Sequence, residues 1–428
     1  MILPRRWVGA APVVLALLCG TTVAAGKSPD AAAVPALIAP VPAGTTLTLD
    51  AALQLALQQA PVIRAGAAGV EAEQGRLKQA GLLPNPQIQI DIEDFGGSGP
   101  YSGTGAAQVT TGLAMPLELG GKRGARVALG RQNLASAQAG QVLLLADLGR
   151  EVRVRFASAL AATEIAALSR KELETAREIE RTVGLLVDGG REPPLRLVTA
   201  RTERARAESA LADAEARAAV ERAALSAIIG YTGTAFVPVG ESHAVQLTDV
   251  GRPDLVVADT RVAAAEATLR LERSQRIPDP TLNFGVRQYR GEGESALVAG
   301  VSLPFPLFNR NGGNIAAARA EVRRAEAERD ATRLALDART TSADAEVQAA
   351  SARARMLETE ILPGATEALR ISRAGYTAGR FSYLDLLAAQ RAVAEAGRGL
   401  AEARRDRAIA EAERDRALGR TPFPESNS

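Results

Sequence analysis

The chain repeats itself. Pro61 opens a helical stretch that ends at Pro84-Asn85-Pro86, and an alternating segment, Gln87-Ile-Gln-Ile-Asp-Ile92, follows. Pro253 opens a second such stretch ending at Pro278-Asp279-Pro280, and Thr281-Leu-Asn-Phe-Gly-Val286 follows. Gly112-Leu-Ala-Met-Pro116 matches Gly300-Val-Ser-Leu-Pro304, Gly190-Arg191 matches Gly379-Arg380, and Gly230 matches Gly419. The offset stays at about 190 residues, so the unit is a duplicated domain half; solenoid units recur every ~20–50 residues.

Each half, 47–230 and 251–420, reads as helix, strand, strand, very long helix, turn, long helix. In the first, a short amphipathic helix over Leu49 to Gln59 precedes one from Pro61 to about Gly81, where Pro84 and Pro86 force extended backbone. A β-hairpin follows over 87–118, with strands near 87–95 and 109–117 around the turn-rich segment 96–105. Arg123 to Val187 holds no proline and predicts one helix of roughly 65 residues, about 95 Å long. Such Ala-rich, charge-studded helices belong to coiled coils. Asp188-Gly189-Gly190 ends that helix, and Pro193 suits the first turn of the next, which runs to about Ile229. Residues 231–250 read as a connector. The second half repeats the plan, with a helix to Ile277 and a β-hairpin over 281–304, whose strands are expected near 281–289 and 296–303. A long helix from about Asn314 to Ala374, a turn over 375–380 and a helix to about Leu418 complete it, and 421–428 reads as a tail. The fold class is mainly α with β: duplicated long antiparallel coiled-coil helical hairpins plus four β-strands per chain. Four strands cannot close a barrel alone, which points to several copies completing one.

Met1 to Ala25 reads as a secretory signal, with Arg5 and Arg6 before the short apolar run Val13 to Leu18; 26–46 follows as an extended leader. The single cysteine, Cys19, lies inside that signal, so the mature chain is expected to hold no disulfide and no thiolate site. The 51 basic and 49 acidic residues interleave along the helices for a net charge of +2, which argues against a nucleic-acid partner. No later segment approaches 18 uninterrupted apolar residues, so entry into a membrane would have to be as a β-barrel.

Aromatic residues are few, 8 Phe, 5 Tyr and 1 Trp. Six of them, Phe95, Tyr101, Phe284, Tyr289, Phe305 and Phe308, fall at the expected strand ends. Membrane barrels carry aromatic girdles at their two interfaces. Strands favour aromatics in any case, but the long helices contain almost none.

Taken together, these motifs resemble the TolC-type outer-membrane factors, in particular the branch serving heavy-metal cation efflux by resistance–nodulation–division pumps. The resemblance spans Leu49 to Leu418. It is carried by Gly81-Leu-Leu-Pro-Asn-Pro86, Glu118-Leu-Gly-Gly-Lys-Arg123, Gly375-Tyr-Thr-Ala-Gly-Arg380 and Leu384-Asp385-Leu386-Leu387. It implies a homotrimer whose chains give four strands each to a 12-stranded barrel in outer-membrane lipid and whose helices form a periplasmic tunnel. The implied partners are a periplasmic adaptor protein and an inner-membrane pump. Gly189, Gly190, Arg191, Gly379 and Arg380 would form the tip that meets the adaptor. Asp385 matches an aspartate that rings the closed tunnel tip in relatives; a second aspartate three residues on is Ala388 here. Ser382-Tyr-Leu-Asp385 also has the spacing of a helix capping box. By the repeat offset Arg196 is the counterpart of Asp385, and a link between them would join the two hairpins.

Other chemistry finds little support. His243 is the only histidine, Met115 and Met356 are the only methionines after Met1, and no spacing resembles a metal centre. No nucleophile–base pair, phosphate loop or cofactor signature is present. The expected function is an outer-membrane exit duct without enzyme activity or cofactor, carrying divalent metal cations. Alternatives are a duct for drugs or type I protein secretion, a periplasmic adaptor, and a structural coiled coil.

Overall fold

The computed structural model describes residues 45–231, 233, 235–242 and 245–423. The expected signal with Cys19, the leader to residue 44, His243 and residues 424–428 lie outside them. In the first half come β1 (Thr45–Leu47), α1 (Leu49–Gln59), α2 (Pro61–Ala80), β2 (Gln87–Glu93), β3 (Gln108–Pro116), α3 (Lys122–Asp188) and α4 (Pro194–Ile229). A single 3-10 turn, Gly99–Tyr101, interrupts the loop between β2 and β3. Next come β4 (Phe236–Pro238), β5 (Thr248–Asp249), α5 (Pro253–Ser274), β6 (Thr281–Tyr289), β7 (Glu294–Ser302), α6 (Gly312–Met356), α7 (Leu362–Thr377), α8 (Tyr383–Ala417) and β8 (Arg420–Thr421).

Three elements depart from the sequence reading. The long helix expected over 314–374 is broken by a π turn, Leu357–Ile361. Pro363 lacks an N–H, and its ring clashes with the carbonyl four residues back; a wider turn just before it relieves both. The connector is not featureless, because β4 pairs in parallel with β1 and β5 pairs antiparallel with β8. The expected tail therefore begins as a strand, and Phe423 is buried against the α1 and α3 core. Two- and three-residue strands with little alternation leave no pattern to read.

α3, 67 residues and roughly 100 Å long, runs beside α2, α4, α5 and α8. The shorter helices stack end to end to match it. Gly230 closes α4 against the end of α1, just before α2 begins, where an added Cβ would lie 2.7 Å from the Gln59 carbonyl oxygen. Gly419 does the same between α8 and α5, with the Gly251 carbonyl in the place of its missing Cβ. The duplicated glycines are thus the joints that let two helices continue as one column.

The core sits at these joints. Leu49, Leu53, Val152, Phe156, Leu225, Ile229 and Phe236 pack together, and full burial of a side chain such as Phe156 is worth about 1.5–3 kcal/mol. Ion pairs of two buried arginines tie the halves beside it. Arg416 on α8 reaches Asp147 of α3 and Asp254 of α5, each at 2.7 Å, and Arg153 of α3 meets Asp415 at 2.9 Å.

At the far end lies one antiparallel sheet in the order β2-β3-β6-β7. Its register sorts the side chains by chemistry. Ile88, Leu113, Phe284 and Ala299 form one cross-strand row, and Ile90, Thr111, Val286 and Leu297 the next on the same face. The alternate rows hold Asp91, Thr110, Arg287 and Ala296, then Glu93, Gln108, Tyr289 and Glu294. One face is apolar and exposed, with Ile88 77% and Leu297 88% accessible; the other is polar. Within the chain β2 and β7 are open edges.

Candidate functional site

The sheet meets the helices through the two motifs that mark the first half. Arg123 Nε donates to the Gly81 carbonyl at 2.7 Å, and Arg126 donates to the Leu82 carbonyl while forming a two-pronged pair with Glu118. Those hydrogen bonds from Arg126 hold the Glu118 carboxyl below its usual range. The second half closes the joint: Leu119 N–H and Lys122 Nζ donate to Asp279 at 2.8 and 2.7 Å, and the Leu117 N–H donates to the Pro280 carbonyl at 2.8 Å. Pro-Asn-Pro and Pro-Asp-Pro therefore end their helices and also present the groups to which the junction binds.

At the opposite end the two helical turns are built alike. Arg191 N–H bonds the Leu186 carbonyl at 2.8 Å and Gly190 N–H that of Val187 at 3.0 Å; Arg380 and Gly379 repeat both bonds to Gly375 and Tyr376 at 2.8 and 3.0 Å. Gly190 and Gly379 take φ 69° and 71°, the left-handed conformation this cap needs. Gly189, Gly190, Arg191, Gly379 and Arg380 are exposed on these turns.

Behind the turns a small core joins the hairpins: Ile179, Val183 and Ala200 from the first, Tyr376, Tyr383, Leu386 and Leu387 from the second. The tyrosine rings lie 6.1 Å apart. Burial, with Glu192 near by, pushes the Tyr376 hydroxyl up to about 12. Arg196 does not pair with Asp385. Its guanidinium sits 5.8 Å from the Tyr383 ring centroid and 3.8 Å from Glu192. A planar cation over a buried aromatic face is attracted by the ring quadrupole, whereas Asp385 is engaged elsewhere. Cross-hairpin ion pairs are instead Glu203–Arg391 at 2.8 Å and Glu178–Arg373 at 2.5 Å.

Asp385 closes a capping box. Its Oδ2 accepts from the Ser382 N–H at 2.9 Å and the Ser382 hydroxyl at 2.7 Å, and its own N–H donates to Ser382 Oγ at 3.2 Å. The Ser382 hydroxyl bond, then the backbone bond, hold its carboxyl below the usual range, and the side chain is exposed. Capping and an outward-facing charge coexist. The aromatics spread more than expected. Phe95 and Tyr101 sit at the loop end of the sheet, and Phe305 and Phe308 lie past β7 at the helix end, 82% and 96% exposed. Phe284 is mid-strand on the apolar face, and Tyr289 falls in a polar row. Sequence reasoning missed Tyr383 and Phe381, although an aromatic beside a capping box and a glycine one helical turn from the end were both visible. Among the described residues no group of three His, Cys, Asp or Glu could hold a metal ion, and no helix is long and apolar enough to cross a membrane.

The sequence matches the outer membrane efflux protein family over residues 52–231 and 244–420. The chain belongs to that family. It is 32% identical over 368 residues to the cobalt-zinc-cadmium resistance protein CzcC of Cupriavidus metallidurans, covering 83% of this chain and 86% of that one. It is 33% identical over 305 residues to the nickel-cobalt-cadmium resistance protein NccC of Alcaligenes xylosoxydans xylosoxydans, covering 69% of each. Its fold is similar to the crystal structure of the outer membrane protein VceC of Vibrio cholerae, with a TM-score of 0.73 at 22% identity over 87% of this chain and 96% of that one. The family is one of transport proteins, and its members lie in the outer membrane of Gram-negative bacteria and extend into the periplasm. The alternation of apolar and polar rows across the sheet is the pattern by which the strands of membrane barrels divide their side chains between two faces.

Proposed function

We propose that three copies of this chain form the exit duct of a tripartite efflux system for divalent heavy-metal cations. The observation that carries the duct is the four-stranded sheet, apolar on one face, polar on the other and open at both edges. Unpaired strand edges do not persist in lipid. Three copies give twelve strands, an even number within the usual range for such barrels. The cargo rests on likeness to proteins named for cobalt, zinc, cadmium and nickel resistance.

In this reading the helices form the periplasmic tunnel, and the turns bearing Gly189, Gly190, Arg191, Gly379 and Arg380 meet an adaptor that couples the duct to a resistance–nodulation–division pump. Asp385 lines the tip, where three ionised carboxylates would attract cations; Arg196 keeps Tyr383 and the second hairpin in place. Phe95, Tyr101, Phe284, Phe305 and Phe308 are exposed to interfacial lipid or to neighbouring copies, and Tyr289 faces the lumen. Native mass spectrometry of detergent-extracted protein should give a trimer, and a stable monomer would sink the shared barrel. Deleting the gene should sensitise its host to cobalt, zinc, cadmium or nickel salts more than to hydrophobic antibiotics. The reverse pattern reassigns the duct to drugs.

A further inference from the structure

The two ends of the sheet carry opposite charge. At the loop end, residues 91–108 and 287–294 hold Asp91, Glu93, Asp94, Glu292 and Glu294 against Arg287 and Arg290. The end that meets the helices is basic, and its carboxylates are already engaged. Glu118 pairs with Arg126, Asp279 with Lys122 and Glu73 with Arg76, while Glu272 accepts from the Asn311 amide. Lys78, Arg123, Arg273, Arg276 and Arg310 remain exposed, and among the described residues none of them makes an ion pair. Lys78, Arg273 and Arg276 make no side-chain hydrogen bond there either.

All four strands end in the same order of chemistry. Moving along the chain away from the sheet, an exposed large apolar residue comes first and an unpaired cation second. The order is Leu83 and Leu82 then Lys78 at β2, Leu119 then Arg123 at β3, Ile277 then Arg276 and Arg273 at β6, and Phe305 and Phe308 then Arg310 at β7. β3, β6 and β7 have nine residues each, close to the ~9–11 that a tilted strand needs to cross the hydrocarbon core. Residues just past these strand ends therefore stand at headgroup depth, on the side where the family extends into the periplasm. Apolar rows, interfacial side chains and cations thus follow the sequence of acyl chains, interface and phosphate. Resting on the barrel reading above, we infer that Lys78, Arg123, Arg273, Arg276 and Arg310 bind the phosphate groups of anionic phospholipids in the leaflet facing the periplasm. Long stems lie along the apolar boundary while the charged heads reach the phosphates. The carboxylates of the loop end would repel the same headgroups, so the belt has one side of the membrane only.

Vesicle flotation followed by native mass spectrometry tests the belt. The full-length chain is inserted into vesicles of phosphatidylcholine and phosphatidylglycerol in equal amounts, then released in mild detergent. The native protein should retain phosphatidylglycerol over phosphatidylcholine by about fivefold or more. Lys78→Gln combined with Arg273→Gln and Arg276→Gln removes three side chains that have no partner within the chain. This triple variant should keep the native unfolding midpoint and lose the lipid preference. Arg333→Gln with Arg339→Gln, exposed and far along α6 from the sheet, should keep the preference. Equal retention of both lipids by the native protein, or an unchanged preference in the triple variant, overturns the belt. Equal loss in the two variants reduces the effect to net charge and overturns it as well. A triple variant that falls to monomers shows that these cations serve carboxylates of a neighbouring copy, and the lipid assignment is then wrong. Native protein that does not float with the vesicles removes the barrel reading, and the belt with it.

Discussion

The two helical hairpins come from one duplicated plan, yet their long helices live in different surroundings. α3 is flanked by α2, α4, α5 and α8, while α6 packs on α5 and α8. The burial follows. α3 buries large residues such as Leu148, Val152, Phe156, Ile179 and Val183, whereas α6 buries Ile315, Leu336 and otherwise alanines at 318, 325, 343, 350 and 354. Recurrence every seven residues marks a narrow coiled-coil stripe with free surface on either side. α3 is unbroken, and its counterpart carries the π turn before Pro363. One hairpin is a frame; the other is attached to it along a seam, a set of ion pairs and a small core at the tip.

The largest effect should come from cutting the attachment where it is buried. Arg416→Ala leaves half-exposed Asp147 and more buried Asp254 without their shared partner; water screens the first, so the loss should sit at or below the lower end of the roughly 3–5 kcal/mol typical of a fully buried pair. Burial opposes the Arg416 charge, but its hydrogen bonds to Asp254 and Asp147 outweigh that and raise its pKa. Denaturant unfolding of the assembled protein should show the loss. Arg324→Ala, on the free face of α6 with Glu321 and Glu328 as partners, should leave the midpoint where it is. Equal losses for both would abolish the distinction between frame and attachment.

A smaller effect is expected at the tip. The turns share their hydrogen bonds, but where the first has Leu186 the second has Gly375, whose missing Cβ is replaced by the Phe381 ring. Gly375→Ala overpacks this site at a cost of roughly 1–3 kcal/mol, read as a lower unfolding midpoint. Phe381→Ala should recover part of it in the double variant. If Gly375→Ala is neutral alone, the ring is not held there and the second tip is as loose as the first.

The long periodic elements were legible in the sequence because proline-bounded helices and alternating strands leave a signal over many residues. Pro61, Pro253 and the glycines after Asp188 and Ala378 bound their helices within a few residues of the structure. The π turn was not legible. Pro363 was visible, but whether a helix ends, kinks or widens before a proline depends on its packing, and here α8 holds both sides in line. β4, β5 and β8 were missed since they are defined by distant partners. The same reason explains Arg196. Its place in the repeat pointed to Asp385, but Asp385 is held by Ser382, and Arg196 is engaged by the Tyr383 ring and Glu192.

The smallest effect concerns the cap that only the second hairpin has. α4 begins after Pro193 with no side-chain cap bond, while α8 begins after Ser382 with the reciprocal Ser382–Asp385 box. Ser382→Ala should cost about 1 kcal/mol. It also removes the hydroxyl that contributes most to holding the Asp385 carboxyl below its unperturbed value of 3.8, leaving the backbone N–H. The folded value is depressed, so the stabilisation from ionised Asp385 is present above pH 3.8 and is lost as pH falls through the lower folded value. In planar bilayers, the native duct should therefore keep its cation preference to a lower pH than the Ser382→Ala duct, and Asp385→Asn should weaken that preference at every pH. A Ser382→Ala duct that is less stable but titrates like the native one would mean that Asp385 serves α8 as a cap and does not charge the pore.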